Sequence, residues 1–170
     1  MNFGAKKSLG QNFLNDNNVI KIIADIGNID RNDFILEVGA GTGNLTEKIL
    51  EQSPKKIFVI EKDQRLALYL NEKFGDKINI FNEDMMTFEY ERYYKDKLII
   101  FGNLPYNIST QILAKWISAK NLDSFCKKFI LMFQKEVADR IIAETNTKNY
   151  GRLSILSNWK MKINKIIDIE

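Results

Sequence analysis

The sequence has no histidine and a single cysteine, Cys126, in 170 residues. Without histidine, the usual general base near neutral pH and the commonest metal ligand are both missing. One cysteine excludes an internal disulfide and a zinc site built from a cysteine cluster. No apolar run approaches the roughly 20 residues that span a bilayer. The start, Met1-Asn2-Phe3-Gly4-Ala5-Lys6-Lys7, lacks the apolar core of a signal peptide. The expectation is a cytoplasmic protein with no membrane or metal partner, whose chemistry runs without imidazole. Charge of one sign is also scarce. A formal net charge of +3 is mild, and Lys6-Lys7, Lys55-Lys56, Lys127-Lys128 and Lys160/Lys162/Lys165 are scattered. They permit contact with RNA without demonstrating it.

What is present is enough apolar residue, 45% hydrophobic against 28% charged, for one domain with its own core. The apolar runs alternate in period. Asp16 caps a helix whose apolar side carries Val19, Ile20, Ile22, Ile23 and Ile26, and Gly27-Asn28 ends it. Strands are expected at 34–38, 56–60, 77–81, 98–101 and 128–133, with a last one at 162–169. Between them fall helical patterns after Gly43, then over 64–74, 109–120, 134–143 and 150–159. The segment 88–97 reads as a surface connection with one helical turn. Strict alternation with short links predicts an α/β, doubly wound, mostly parallel sheet covered by helices.

The chemistry-bearing residues fall at the predicted strand ends. Glu37-Val38-Gly39-Ala40-Gly41-Thr42-Gly43 follows the first strand and opens a helix, so its glycines let the backbone approach a ligand. A dinucleotide fingerprint wants its third glycine where this chain has Asn44, which weakens a reading as an NAD or FAD site. An adenosine-based methyl donor such as S-adenosylmethionine needs the same close approach and carries no phosphate. Glu61, ending the second strand, suits the hydroxyls of a ribose; Asp84, ending the third, suits the exocyclic amine of an adenine, with Met85 as an apolar wall. The fourth strand runs into Asn103-Leu104-Pro105-Tyr106. Pro105 fixes its own φ and pushes Leu104 into an extended conformation, presenting the Asn103 and Leu104 carbonyls as a rigid acceptor pair beside an aromatic ring. Two acceptors on the N–H bonds of a base amine would favour a tetrahedral nitrogen aimed at a methyl group, and Tyr106 could stack on that base.

Five stretches resemble the ribosomal RNA adenine dimethyltransferases: Leu9-Gly10-Gln11-Asn12-Phe13-Leu14-Asn15-Asp16, the glycine turn 37–43, Phe101-Gly102-Asn103-Leu104-Pro105-Tyr106-Asn107-Ile108-Ser109-Thr110, Gln134-Lys135-Glu136-Val137 and Tyr150-Gly151-Arg152-Leu153-Ser154. The resemblance implies a Rossmann-like class I methyltransferase domain over 1–170 that methylates adenine N6 in small-subunit ribosomal RNA. It implies S-adenosylmethionine as cofactor, held by Asn12, Leu14, Gly39, Gly41, Glu61, Asp84 and Asn103. The target adenine would be held by Asn103, Leu104, Pro105 and Tyr106. The expected partner is ribosomal RNA or the immature small subunit, and the expected state a monomer. Leu104 stands where related large-subunit resistance methyltransferases usually have Ile, which favours the small-subunit activity. Family members continue into a small helical domain that this chain lacks, so the expectation is a domain truncated at its C-terminal end. Two alternatives share the fold: the large-subunit enzyme, and a non-catalytic RNA-binding assembly or transcription factor.

Overall fold

Five short runs rich in Ile, Val, Leu and Phe pair into one sheet, and the central three are apolar on nearly every position. The computed structural model describes Gly4, Lys6, Gln11 and residues 13–89 and 96–169. Among these the strands are β1 (Phe34–Val38), β2 (Lys56–Ile60), β3 (Asn79–Phe81), β4 (Leu98–Asn103) and β5 (Cys126–Met132). All neighbouring pairs are parallel, in the order β3-β2-β1-β4-β5. The helices are α1 (Asn17–Ile26), α2 (Asn44–Glu51), α3 (Gln64–Phe74), α4 (Ser109–Ser118), a single turn α5 (Leu122–Phe125), α6 (Lys135–Ile141) and α7 (Arg152–Lys160).

The period-2 pleat divides the strands between two cores. Ile35, Ile57, Val59, Ile99 and Phe101 face Ile20 and Ile23 of α1, Ile49 of α2 and Leu70 of α3. Leu36, Val38, Phe58, Ile60, Leu98 and Ile100 face the other way, onto Ile112 and Trp116 of α4 and Leu122 and Phe125 of α5. Burial of one such side chain stabilises by about 1.5–3 kcal/mol. The Asp16 cap on α1, whose carboxylate accepts the N–H groups of Asn18 and Val19, contributes nearer 1 kcal/mol. Packing therefore sets where the helices lie, and caps set where they begin. A third, smaller cluster joins Leu113 and Ile117 of α4 to Ile141 of α6, with Leu153 and Leu156 of α7 against it. No described helix is long and apolar enough to cross a membrane.

Several expected boundaries move. The predicted strand over 162–169 is absent: these residues pair with no strand, and Ile166, Ile167 and Ile169 stay exposed. Alternating apolar residues supply the period of a strand, but a strand also needs a neighbour. β4 does not break at Gly102. Gly102 and Asn103 remain in register with Leu131 and Met132 of β5, so the strand reaches the site itself. β5 begins at Cys126 rather than 128, β3 at Asn79 after a 3-10 turn at Gly75–Lys77, and α6 and α7 each start later than their sequence patterns suggested. Phe88, expected on the surface, is buried in the second core with its ring 5.1 Å from that of Phe81. The remainder of that connection, 90–95, lies outside the described residues.

Candidate active site at the carboxyl edge of the sheet

Strand order reverses direction between β1 and β4, so the connections leaving their carboxyl ends diverge and open a crevice. The glycine turn forms its floor. Gly39, Gly41 and Gly43 all have positive φ, +73°, +59° and +79°, a conformation that a side chain would strain. A Cβ at Gly39 would lie 3.0 Å from the Asn103 main-chain oxygen, and one at Gly43 would lie 2.6 Å from the Phe74 ring. The turn thus sits close against both β4 and α3. Asn44, the residue that departs from a dinucleotide fingerprint, donates its amide to Leu14 O at 3.0 Å and to Asn15 Oδ1 at 3.3 Å. It ties the N-terminal segment across the turn.

Glu61 is buried at the end of β2. Its two carboxylate oxygens accept the N–H groups of Gly41 (3.1 Å) and Asp63 (2.9 Å). Burial raises its pKa, opposed by those N–H groups. Asp63, beside it, is held well below the usual carboxylate range by hydrogen bonds from Arg65 and, after the opposing cost of burial, from Gln11. Asp84 accepts the Met86 N–H and the Lys62 ammonium, the latter at 2.7 Å, and Lys62 lowers its pKa. Asn82 closes the gap between β3 and β2 by donating to Glu61 O and Lys62 O.

Two adjoining cavities result. The first, of about 170 Å³, is lined by Leu14, Gly39, Gly41, Glu61, Asp84, Asn103 and Pro105, and also by Gln11, Phe13, Glu37 and Met85. The second, of about 340 Å³, is lined by Asn103, Tyr106, Met132, Phe133 and Lys135. Asn103, Phe13, Leu14 and Met132 line both, forming the wall between them.

The expected residues therefore converge, with two exceptions. Leu104 is 1% exposed as a whole residue, packs into the second core and lines neither cavity. Asn12 lies outside the described residues. Sequence reasoning passed over Glu37, which is fully buried in β1 and accepts the Thr46 hydroxyl at 2.7 Å. Burial pushes its carboxyl up to about 7; the Thr46 hydrogen bond lowers it and the charge of Glu61 raises it. The available signal was an acid inside an otherwise apolar strand. Phe133 was also passed over, and it is a second aromatic residue, with Tyr106, in the lining of the second cavity.

The first cavity is acidic. Glu37, Glu61, Glu83 and Asp84 line it against one cation among the described lining residues, Lys62, which is paired. That wall suits a cationic nucleoside and repels a pyrophosphate.

A parallel sheet with helices on both faces and a nucleoside-sized crevice at its switch point is the architecture of the Rossmann-like class I methyltransferases. The chain belongs to the ribosomal RNA adenine dimethylase family, whose model matches residues 2–170. It is 54% identical over 166 residues to ribosomal RNA small subunit methyltransferase A of Pelagibacter ubique, covering 98% of this chain and 63% of that protein. It is 39% identical to the protein of that name from Ruegeria sp., over 92% of this chain and 57% of the relative. The chain thus spans about 60% of the length of the curated relatives it matches. Among solved structures it resembles a dimethyladenosine transferase from Plasmodium falciparum, at 31% identity and a TM-score of 0.75, over 85% of this chain and 51% of that one. It also resembles the 23S rRNA methyltransferase ErmE, at 28% identity and a TM-score of 0.67, over 86% and 55%.

Proposed function

We propose that the protein is an S-adenosylmethionine-dependent methyltransferase that dimethylates N6 of adenines in small-subunit ribosomal RNA. The observation that carries the reading is the shared wall: Asn103 lines both the acidic cleft and the aromatic-flanked cavity, the position a group needs if it is to present a base amine to a methyl donor. The donor fits the first cleft on three counts. The floor has glycines at positive φ where a side chain would intrude, Glu61 is an oriented carboxylate for a ribose, and the acidic wall matches a sulfonium. Leu14, Gly39, Gly41, Glu61, Asp84 and Asn103 would hold it, with Asn12 as the residue the family resemblance adds. When bound, it supplies an activated methyl group on a cationic leaving group.

The chain's own residues then have little acid-base work to do. The Asn103 side-chain oxygen and the Leu104 carbonyl accept the two N–H bonds of the target amine and draw its lone pair out of the ring. Pro105 holds those acceptors rigid. Tyr106 and Phe133 flank the second cavity and offer ring faces to an unpaired adenine. After a first methyl is transferred the cationic nitrogen gives one proton to solvent and keeps one N–H, which one of the two acceptors can hold for a second transfer. Both cavities are built by one chain, which supports action as a monomer on RNA or an immature small subunit in the cytoplasm. The small-subunit substrate is favoured over the large-subunit one by Leu104 and by the names of the 54% and 39% identical relatives.

Incubation of the chain with labelled donor and immature small subunits tests the reading: label recovered as N6,N6-dimethyladenosine supports it. Label appearing only in large-subunit RNA replaces it with the other activity, and label in neither removes it. Calorimetry with S-adenosylmethionine and NAD tests the cofactor alone, and preferential binding of NAD would overturn that assignment.

A further inference from the structure

After β3 the chain makes one tight turn before disappearing into the core. The N–H groups of Thr87 and Phe88 both return to Asp84 O, which closes a single helical turn, and the carbonyls of Met85, Met86 and Phe88 meet α4. All three accept from one group. The Lys115 ammonium, reaching across from α4, lies 3.2, 3.0 and 3.0 Å from Met85 O, Met86 O and Phe88 O, so each of its three protons has a carbonyl. A cation at the carboxyl end of a helical turn is favoured electrostatically as well as by its hydrogen bonds. The turn it closes carries Asp84 and Met85 into the wall of the acidic cleft, and α4 carries Ile112, one turn before Lys115, into the same cleft. Neither Asp84 nor Met85 meets Lys115 through its side chain in these bonds; the lysine holds them through the backbone, and its charge also helps to lower the Asp84 pKa, after that of Lys62.

We propose that Lys115 is a positioning residue for the donor cleft, holding the 84–88 turn so that Asp84 and Met85 stay in the wall that receives the purine end of the ligand. The proposal rests on the reading of that cleft as the S-adenosylmethionine site. The molecule contains its own control. Lys128 of β5 makes the same kind of bond at the opposite end of the sheet, donating to Ile26 O and Gly27 O, both at 3.2 Å, at the end of α1. Loss of either lysine removes hydrogen bonds from backbone carbonyls, but only Lys115 faces the cleft-lining turn.

The test is calorimetric titration of S-adenosylmethionine into the wild-type chain and the variants Lys115→Met, Lys115→Arg and Lys128→Met, with thermal midpoints recorded for each. Lys115→Met is expected to weaken donor binding about tenfold. Lys115→Arg should recover most of that loss, and Lys128→Met should stay within about twofold of wild type while its midpoint falls. In transfer assays Lys115→Met should raise the donor KM and leave kcat at saturating donor within about twofold. Wild-type affinity in Lys115→Met, or equal losses of affinity in Lys115→Met and Lys128→Met, overturns the proposal. Where Lys115→Met does not fold, Lys115→Gln takes its place, and wild-type affinity in that variant overturns it equally. If the wild-type chain itself fails to bind the donor, it is the assignment of the cleft that falls, and the proposal falls with it.

Discussion

The two ends of the sheet treat charge differently. At the amino-terminal end, Asp33 meets Lys127 at 2.6 Å and the Asp30 N–H at 2.9 Å; burial works against the carboxylate, but these partners bring its pKa down. That end is paired, and it spends its charges on joining β1 to β5. At the carboxyl end, Glu37 and Glu61 are buried side by side against neutral donors, and both pKa values rise. Asp63 and Asp84 there find cations and fall, yet their partners Arg65 and Lys62 are surface side chains. One end is arranged for cohesion, while the other keeps buried, under-neutralised acids in a cleft, where perturbed carboxyl groups mark candidate binding sites.

Substitutions can break that contrast. The largest effect is expected at Asn103: Asn103→Ala should lower methyl transfer by about 10²–10³-fold, the cost of removing one preorganised polar contact from a reacting centre. Its thermal midpoint should stay close to wild type, and a collapsed midpoint would show that the residue serves the fold instead. Next comes Glu37→Gln. The folded carboxyl titrates at about 7 against an ordinary 4.5, so between those values the folded state binds more protons than the unfolded one. Stability from this group is therefore present at low pH and lost as pH rises to about 7. Gln keeps an acceptor for Thr46 without the charge and should stabilise the protein at pH 8 by on the order of 1–3 kcal/mol. Unfolding curves at pH 5 and pH 8 check this, and an unchanged difference between the two pH values would refute it. The same charge should aid a sulfonium, so donor affinity in the wild type should rise from pH 6 to pH 8 and do so less in the variant.

A smaller change is expected at Tyr106, a residue 40% exposed. Tyr106→Ala should raise the RNA KM about tenfold, the scale of one lost stacking contact, with calorimetric donor affinity unchanged. The reverse pattern would exchange the two cavities' roles. Smallest is Lys127→Met at the paired end. Lys127 is half-exposed, so the loss should be about 1 kcal/mol of stability, with donor binding untouched.

Much of this arrangement is legible in the residues, and the exceptions have physical causes. β1, β2 and β4 are buried on both faces, and such strands write themselves as unbroken apolar runs. Their ends were therefore readable, and with them the places of Gly39, Glu61 and Asn103 along the crevice; Asp84 follows the short, less buried β3. The segment 162–169 has the alternation of a strand but no partner, and pairing is a property of two segments that neither displays alone. Gly102 and Asn103 resemble a strand break by composition, yet stay paired because β5 runs alongside. Phe133 reaches the second cavity, and Lys115 the 84–88 turn, from other elements, at distances along the chain over which spacing rules carry no information. Glu37 was visible as an acid among apolar residues; its burial and its Thr46 partner were not.

The close approach of Gly39 to Asn103 has a consequence for how this protein can change over generations. A methyl group at position 39 would press on the main-chain oxygen of position 103 at 3.0 Å, so the proposed donor floor and the proposed acceptor clamp are in backbone contact. Substitutions at the two positions should be strongly non-additive in a double-mutant cycle. A lineage cannot retune one half of this site while leaving the other as it was, and drift toward a new donor would have to pass through a chain that also handles its acceptor differently.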